Sequence, residues 1–367
     1  MTISYQEILE QIDLVNPIVY SRNRNFIDGS VSKLSPYISR GVISTKIVFD
    51  HLIKKGYEFS KIEKFIQELC WRDYWQLIWV EKQNLINQDL KRKQLDVENH
   101  FLSNSIINAN TGIRAIDNAI LELYSTGYMH NHLRMYVSSL ACNVSKSHWN
   151  VPAKWMYYHL LDADWGSNAL SWQWICGSNS NKKYYANQEN INKYCFTNQK
   201  NTFLDLDYSQ FEFLKIPIEL KETIDPILKT KLPENKDLKL DTNLPTLIYN
   251  FYNLDPLWRE NEETNRVLLL EPELFKDYPI SDKSVDFMLG LSNNIIGMQV
   301  YVGSFDDLIE KYNLKSIIFK EHPLNLHYKG VQDARDWMFE NKNNLNSFFS
   351  YWKKSKKQYL KSLIKYS

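Results

Sequence analysis

Two carboxylates two residues apart, Asp162 and Asp164, open the part of this chain richest in chemistry. It reads LLDADWGSNALSWQW (160–174), with Asn168 four residues past Asp164 and with Trp172 and Trp174 closing it. Upstream, STGYMHNHLRM (125–135) holds Asn131 and Arg134, three apart and so on one face if helical. A polar, conjugated ligand would use such a set. Carboxylates accept from ring N–H groups or ribose hydroxyls, and an arginine stabilises a ring that becomes anionic on reduction. An amide can face a ring nitrogen, and indoles flank a planar group. The blander reading is a helix bundle with Asp162 as an N-cap and the tryptophans as core. Residue types alone favour the bundle.

Helices must position these side chains. Residues 61–83 and 112–127 carry apolar residues at i, i+3, i+4 and i+7, and breakers such as Gly56 and Asn110-Thr111-Gly112 fall between such segments. No convincing alternating strand precedes about residue 240. The chain turns polar over 201–243, then changes pattern. Short continuous apolar runs at 244–252, 266–271, 297–304 and 315–321 alternate with helical segments at 281–295 and 304–313, the pattern of a parallel α/β unit. The reading is mainly α: a helical domain over 1–200, a linker over 201–243, and a small α/β domain with a helical, Lys-rich tail over 244–367.

The 367 residues suffice for two cores. A net charge of +1 says nothing about nucleic acid, because binding follows the distribution of charge. Four irregularly spaced cysteines, Cys70, Cys142, Cys176 and Cys195, make a zinc or iron–sulfur site an unfavoured reading. The polar N-terminus is unlike a signal peptide, and no apolar run reaches the length of a membrane span. A cytoplasmic, monomeric protein is the expectation.

Four motifs in order decide between the two readings of the polar cluster. They are YSRNRNFIDGSVSKLSPYISRG (20–41), ELCWRDYW (68–75), the 111–135 stretch, and HW followed by 160–174. Together they resemble the flavin-binding catalytic domain of the photolyase/cryptochrome family over roughly residues 15–180. The resemblance implies a helical, photolyase-type domain binding FAD. Tyr20, Ser32, Leu34 and Ser35 would hold the diphosphate and ribityl region, Arg72 and Arg134 the flavin, and Asp162 and Asp164 flavin and ribose. Asn168 would face the flavin N5. Glu68, Trp71, Asn131, Met135 and Trp174 match the lesion-contacting groups of cyclobutane-dimer photolyases, and Trp172 and Trp149 the first two members of an electron-transfer chain. The implied activity is light-driven repair of pyrimidine dimers in DNA by electron transfer from reduced FAD. The lesion would be flipped out of the stack into an aromatic pocket. Asn131 occupies the position of the catalytic His of (6-4) photolyases, which favours the cyclobutane dimer. His130 reads as structural.

The sequence also departs from the family. The flavin motif starts at residue 20, so the expectation is a chain lacking the family's N-terminal antenna domain. The loop has Val31 and Lys33 where Thr and Arg are preferred, and Tyr128 stands for a Trp. The third chain Trp has no counterpart; Trp155, Tyr157 or Trp79 could offer electrons another way out. The stretch after WQW is replaced by 182–195, whose Lys182, Lys183 and Tyr185 could touch phosphate. His322 and His327 read as turn-and-loop residues. The alternatives are a blue-light photoreceptor signalling through partners, and a member that binds FAD or nucleic acid without photochemistry.

Overall fold

The computed structural model describes residues 1–343 and 345–365, with side chains to 361; residues 366 and 367 of the helical tail lie outside the described residues. The first half is helical. Its N-terminal part holds α1 (Tyr5–Asp13), α2 (Pro17–Asn23), α3 (Ser35–Ser39), α4 (Thr45–Lys54) and α5 (Phe59–Lys82). After these come α6 (Asn104–Ile107), α7 (Arg114–Thr126), α8 (Asn131–Ser139), α9 (Asn150–His159), α10 (Trp165–Cys176) and α11 (Gln188–Cys195). The long α5 has no interior Gly or Pro to interrupt it and buries Ile62, Phe65, Ile66, Leu69, Cys70 and Asp73. It packs against α2, α4 and α10 and is the spine of this half.

The four apolar runs after residue 244 are strands of one parallel sheet. They are β3 (Thr246–Tyr249), β4 (Asn265–Leu270), β5 (Met298–Val302) and β6 (Ile317–Lys320), after the two-residue ladder of β1 (Leu102–Ser103) with β2 (Thr223–Ile224). A fifth, β7 (Val331–Asp333), completes the order β5-β4-β3-β6-β7. Register is set by pairs such as Ile248 with Val267 and with Phe319. The sequence reading missed β7 because a three-residue, mostly exposed edge strand carries no apolar pattern. Helices α12 (Pro272–Asp277), α13 (Asp282–Ser292) and α14 (Phe305–Tyr312) lie between strands.

Both faces of the sheet are covered, which is why its central strands read as unbroken apolar runs. Leu247, Tyr249, Leu268 and Leu270 join the same core as the helical half, while Ile248, Val267 and Leu269 pack with Phe305 and Leu308 of α14. The segment 201–243 is packed along its length: Leu204, Phe211 and Leu220 are buried, and Leu238 and Leu240 lie against the outer core of the sheet. The tail differs from a helix beginning at 332. Residues 334–343 and 345–347 run without helix across the helical half, where Met338 N donates to Asp73 Oδ2 at 3.0 Å and Tyr74 Oη donates to Leu345 O at 2.9 Å.

The tail then forms α15 (Phe348–Lys365), antiparallel to α5: Phe348 meets Trp71, Lys356 bonds both Glu63 oxygens at 2.8 Å, and Tyr359 meets Phe59. No helix among the described residues is long and apolar enough to cross a membrane.

Candidate cofactor pocket

Three helices each offer one stripe to a common cavity of about 550 Å³. Helix α5 gives Phe65, Glu68, Leu69 and Arg72; α8 gives Asn131, Arg134, Met135 and Ser138; α10, with its cap, gives Asp164, Ser167, Asn168, Ser171 and Trp172. Each stripe follows i, i+3, i+4, i+7, so the motif residues converge because they share helix faces. The turn between α7 and α8 brings the second stripe in. Gly127 ends α7 at φ +72°, and its carbonyl accepts from Leu161 N at 2.9 Å. His130 then caps α8, its Nδ1 accepting from His132 N at 3.2 Å. Burial drives the His130 imidazole down to about 4, so it stays neutral, as a structural residue should.

The polar floor is two ion pairs. Arg134 forks onto Asp162 with bonds of 3.0 and 2.9 Å, the bidentate geometry that fixes both partners. Burial works to raise the Asp162 carboxyl, but Arg134 beside it, helped by Arg72 and the Ser35 hydroxyl, holds it below the usual carboxylate range. Asp164 pairs with Arg72 at 3.4 Å, takes Ser167 N at 2.8 Å and takes both contacts of Gln76 Nε2 at 2.7 and 2.8 Å. The N-cap of α10 is therefore Asp164, and Asp162 faces the pocket.

Of the residues singled out from sequence, Tyr20, Ser32, Ser35, Glu68, Trp71, Arg72, Asn131, Arg134, Met135, Asp162, Asp164, Asn168, Trp172 and Trp174 all line this one cavity. Two do not. Leu34, just before α3, is 1% exposed, and its side chain sits in the core. Trp149 is fully buried, donates Nε1–H to Asp89 at 2.8 Å, and has His148 and Trp165 as ring neighbours at 5.7 and 6.3 Å, not Trp172. The suggested phosphate contacts of 182–185 are largely engaged elsewhere: Lys183 pairs with Asp96 at 2.7 Å and Tyr185 stacks on Phe211, leaving Lys182 exposed. His327 pairs with Glu271 at 3.0 Å, and His322 caps a short turn.

The structure adds residues that sequence reading passed over. Ser167 and Ser171 lie on the α10 stripe, a spacing signal available once Asp164 is fixed as the cap. Arg24 and Lys64 hold Glu68 at 3.5 and 3.0 Å. Phe348 stacks on Trp71, centroids 3.7 Å apart and planes 8° from parallel. No local pattern marks Phe348, because its partner is 277 positions away (348 against 71).

The donor set suits FAD. The volume is that of a small-molecule or cofactor site, apolar walls from Phe65, Leu69, Met156 and Leu160 surround a charged floor, and the Oγ of Ser167 is buried there without a partner. Among the described residues Asn168 spends its Nδ2 on Ala153 O at 2.8 Å, which fixes the orientation of its amide toward the cavity.

The helical half of the chain is similar to known proteins. Residues 65–204 match the family described as the FAD binding domain of DNA photolyase. A deoxyribodipyrimidine photo-lyase of Alkalihalophilus pseudofirmus is 27% identical over 160 residues, 42% of this chain and 33% of that protein. Cryptochrome-1 of Sinapis alba is 30% identical over 176 residues, 44% of this chain and 35% of that one. A Synechocystis cryptochrome structure aligns at a TM-score of 0.48 and 22% identity, covering 52% of this chain and 43% of that chain. The chain thus spans about a third of the length of these two curated relatives. The stretch from residue 65 to 204 is thus similar to the FAD-binding domain of the photolyase/cryptochrome family.

Proposed function

We propose that this chain repairs cyclobutane pyrimidine dimers in DNA with light, using FAD held in the pocket of α5, α8 and α10. One observation carries the reading: Glu68, Trp71, Asn131, Met135 and Trp174 line the same cavity as the Asp162 and Asp164 floor. Asn131 and Trp174 are exposed, so this group forms the rim, where a flipped nucleotide could enter from solution. When bound and reduced, FAD supplies the electron on excitation by blue light.

The chain's own residues bind and orient. Trp71 and Trp174 wall the dimer by stacking. Asn131 offers an amide and Glu68 a carboxylate to thymine edges. Arg134 and Arg72 place positive charge beside the ring, which favours its anionic reduced form. Apolar walls exclude water and raise the weight of these contacts. Trp172, which lines the cavity, would pass electrons to oxidised flavin.

The second reading is a blue-light photoreceptor. It is favoured by the coverage of one Trp71 face by Phe348 and by the hold of Arg24 and Lys64 on Glu68, arrangements a sensor without a substrate can keep. Glu68→Ala separates them. Repair predicts that bound FAD stays constant while dimer loss under light falls at least tenfold, the worth of one hydrogen bond to a charged group. Unchanged dimer loss, or equal loss of FAD and repair, would refute the role given to Glu68.

A further inference from the structure

The sheet begins at β3 and winds outward both ways, to β4 and β5 on one side and β6 and β7 on the other. Its switch point lies between β3 and β6. In open α/β sheets the crevice at the carboxyl ends of such strands takes a ligand. Here it is turned onto the helical half and nearly filled by it. A Cβ at Gly41 would lie 2.5 Å from Tyr252 O, so only glycine permits the approach. What remains is a cavity of about 100 Å³. Arg72, Gln76 and Asp164 line one side, and Asn253, His322 and Arg335 the other. Arg72 and Asp164 therefore border both this cavity and the cofactor pocket.

A hydrogen-bond path crosses the gap. Arg335, two residues beyond β7, donates from Nη1 to Gln76 Oε1 at 2.8 Å. Gln76 is buried and donates Nε2 to both oxygens of Asp164. A carboxamide can present either end to a neighbour, and arginine can only donate. Arg335 therefore holds the oxygen of Gln76 toward itself and its NH₂ toward Asp164. Space is matched as well: a Cβ at Gly166 would fall 3.0 Å from Gln76 Nε2, so the glycine leaves the amide its place.

Other bonds clamp the same loop from the α/β side. Ser281 N donates to Tyr158 O at 2.9 Å, and Ser284 Oγ donates to Leu160 O at 3.1 Å. Trp165 N donates to Tyr252 Oη at 3.3 Å.

We propose that Arg335 and Gln76 are positioning residues of the cofactor pocket: the α/β half uses its switch-point edge to orient Asp164, through Gln76, toward bound FAD. This rests on the reading that Asp164 faces the flavin. It gives the C-terminal half a function in cofactor binding.

The test is a double-mutant cycle on the full chain, reading FAD dissociation by flavin fluorescence. Arg335→Met and Gln76→Leu should each weaken FAD roughly tenfold, the loss of one charge-assisted hydrogen bond. The double variant should be no weaker than the worse single one, since Arg335 acts only through Gln76. Arg335→Lys, which still donates, should recover part of the affinity. Arg259→Gln breaks the 2.8 Å bridge to Asp333 in the same segment without touching Gln76, and should leave FAD affinity unchanged.

Losses that multiply in the double variant would overturn the proposal. So would no recovery in Arg335→Lys, or an Arg259→Gln loss equal to that of Arg335→Met. If Arg335→Met does not fold, Gln76→Leu alone and combined with Arg335→Lys gives the same discrimination. A native chain that binds no FAD would instead contradict the reading of the pocket itself.

Discussion

Asp162 carries the sharpest electrostatic demand in the pocket, since it is buried and Arg134, helped by Arg72 and Ser35, offsets the burial of its charge. Asp162→Asn keeps the shape and removes the charge, leaving Arg134 without its counter-ion. FAD affinity should fall by more than tenfold, because a partner removed from a buried pair costs about 3 kcal/mol or more. Equilibrium dialysis with FAD checks this. His159 makes the second prediction at this scale. Burial lowers its imidazole to about 4, while an unfolded histidine titrates near 6.5. The unfolded state therefore takes the proton first as pH falls, so stability is full above about 6.5 and is lost progressively down to about 4. His159→Gln should flatten the fall in melting temperature between pH 7.5 and pH 5. An unchanged slope would exclude His159 as its source.

Most of the pocket residues came from the family resemblance, since residue types alone favour a plain bundle; they converge because each stripe lies on one face of a single helix. What was not legible lies across the chain. Phe348 behind Trp71, Arg335 behind Gln76, and the pair Arg24 and Lys64 on Glu68 are contacts between elements, and no periodicity records which elements meet. Leu34 came from resemblance too, and its side chain is a core residue, so any contact with the cavity is left to its backbone.

At the scale of elements, α15 carries the clearest consequence. Its packing on α5 rests on Phe348, Trp352 and Tyr359, and its solvent side shows Lys353, Lys354, Lys357 and Lys361. Phe348→Ala should cost about 3 kcal/mol, the usual range for emptying a buried aromatic site, and should free one face of Trp71. Chemical denaturation measures the first effect. A change below about 1 kcal/mol would mean that α15 is loosely held. The four long strand runs and both intervening helices read from sequence are present within a few residues, because buried parallel strands are continuously apolar and amphipathic helices are not. Composition predicts a helical tail from 332, yet 334–343 and 345–347 are irregular. Its backbone and side chains bond outward to α5, as Met338 N does to Asp73, so tertiary contacts replaced a helix ladder there.

Across the whole molecule, the helical and α/β halves share one core, and the sheet's ligand-taking edge faces the cofactor floor. The two-domain reading follows from the change of pattern near 244. The joint between the halves does not, because it depends on Gly41 against Tyr252 and on the path from Arg335 to Asp164.

Under the repair reading, the rim and floor of this pocket work together on DNA. The most direct measurement illuminates the purified, reduced, FAD-loaded chain with blue light in the presence of single- and double-stranded DNA containing cyclobutane thymine dimers, and follows loss of the dimer. Repair by this pocket predicts light-dependent loss that stops in the dark. Intact FAD binding with no loss of the dimer on either substrate would contradict it.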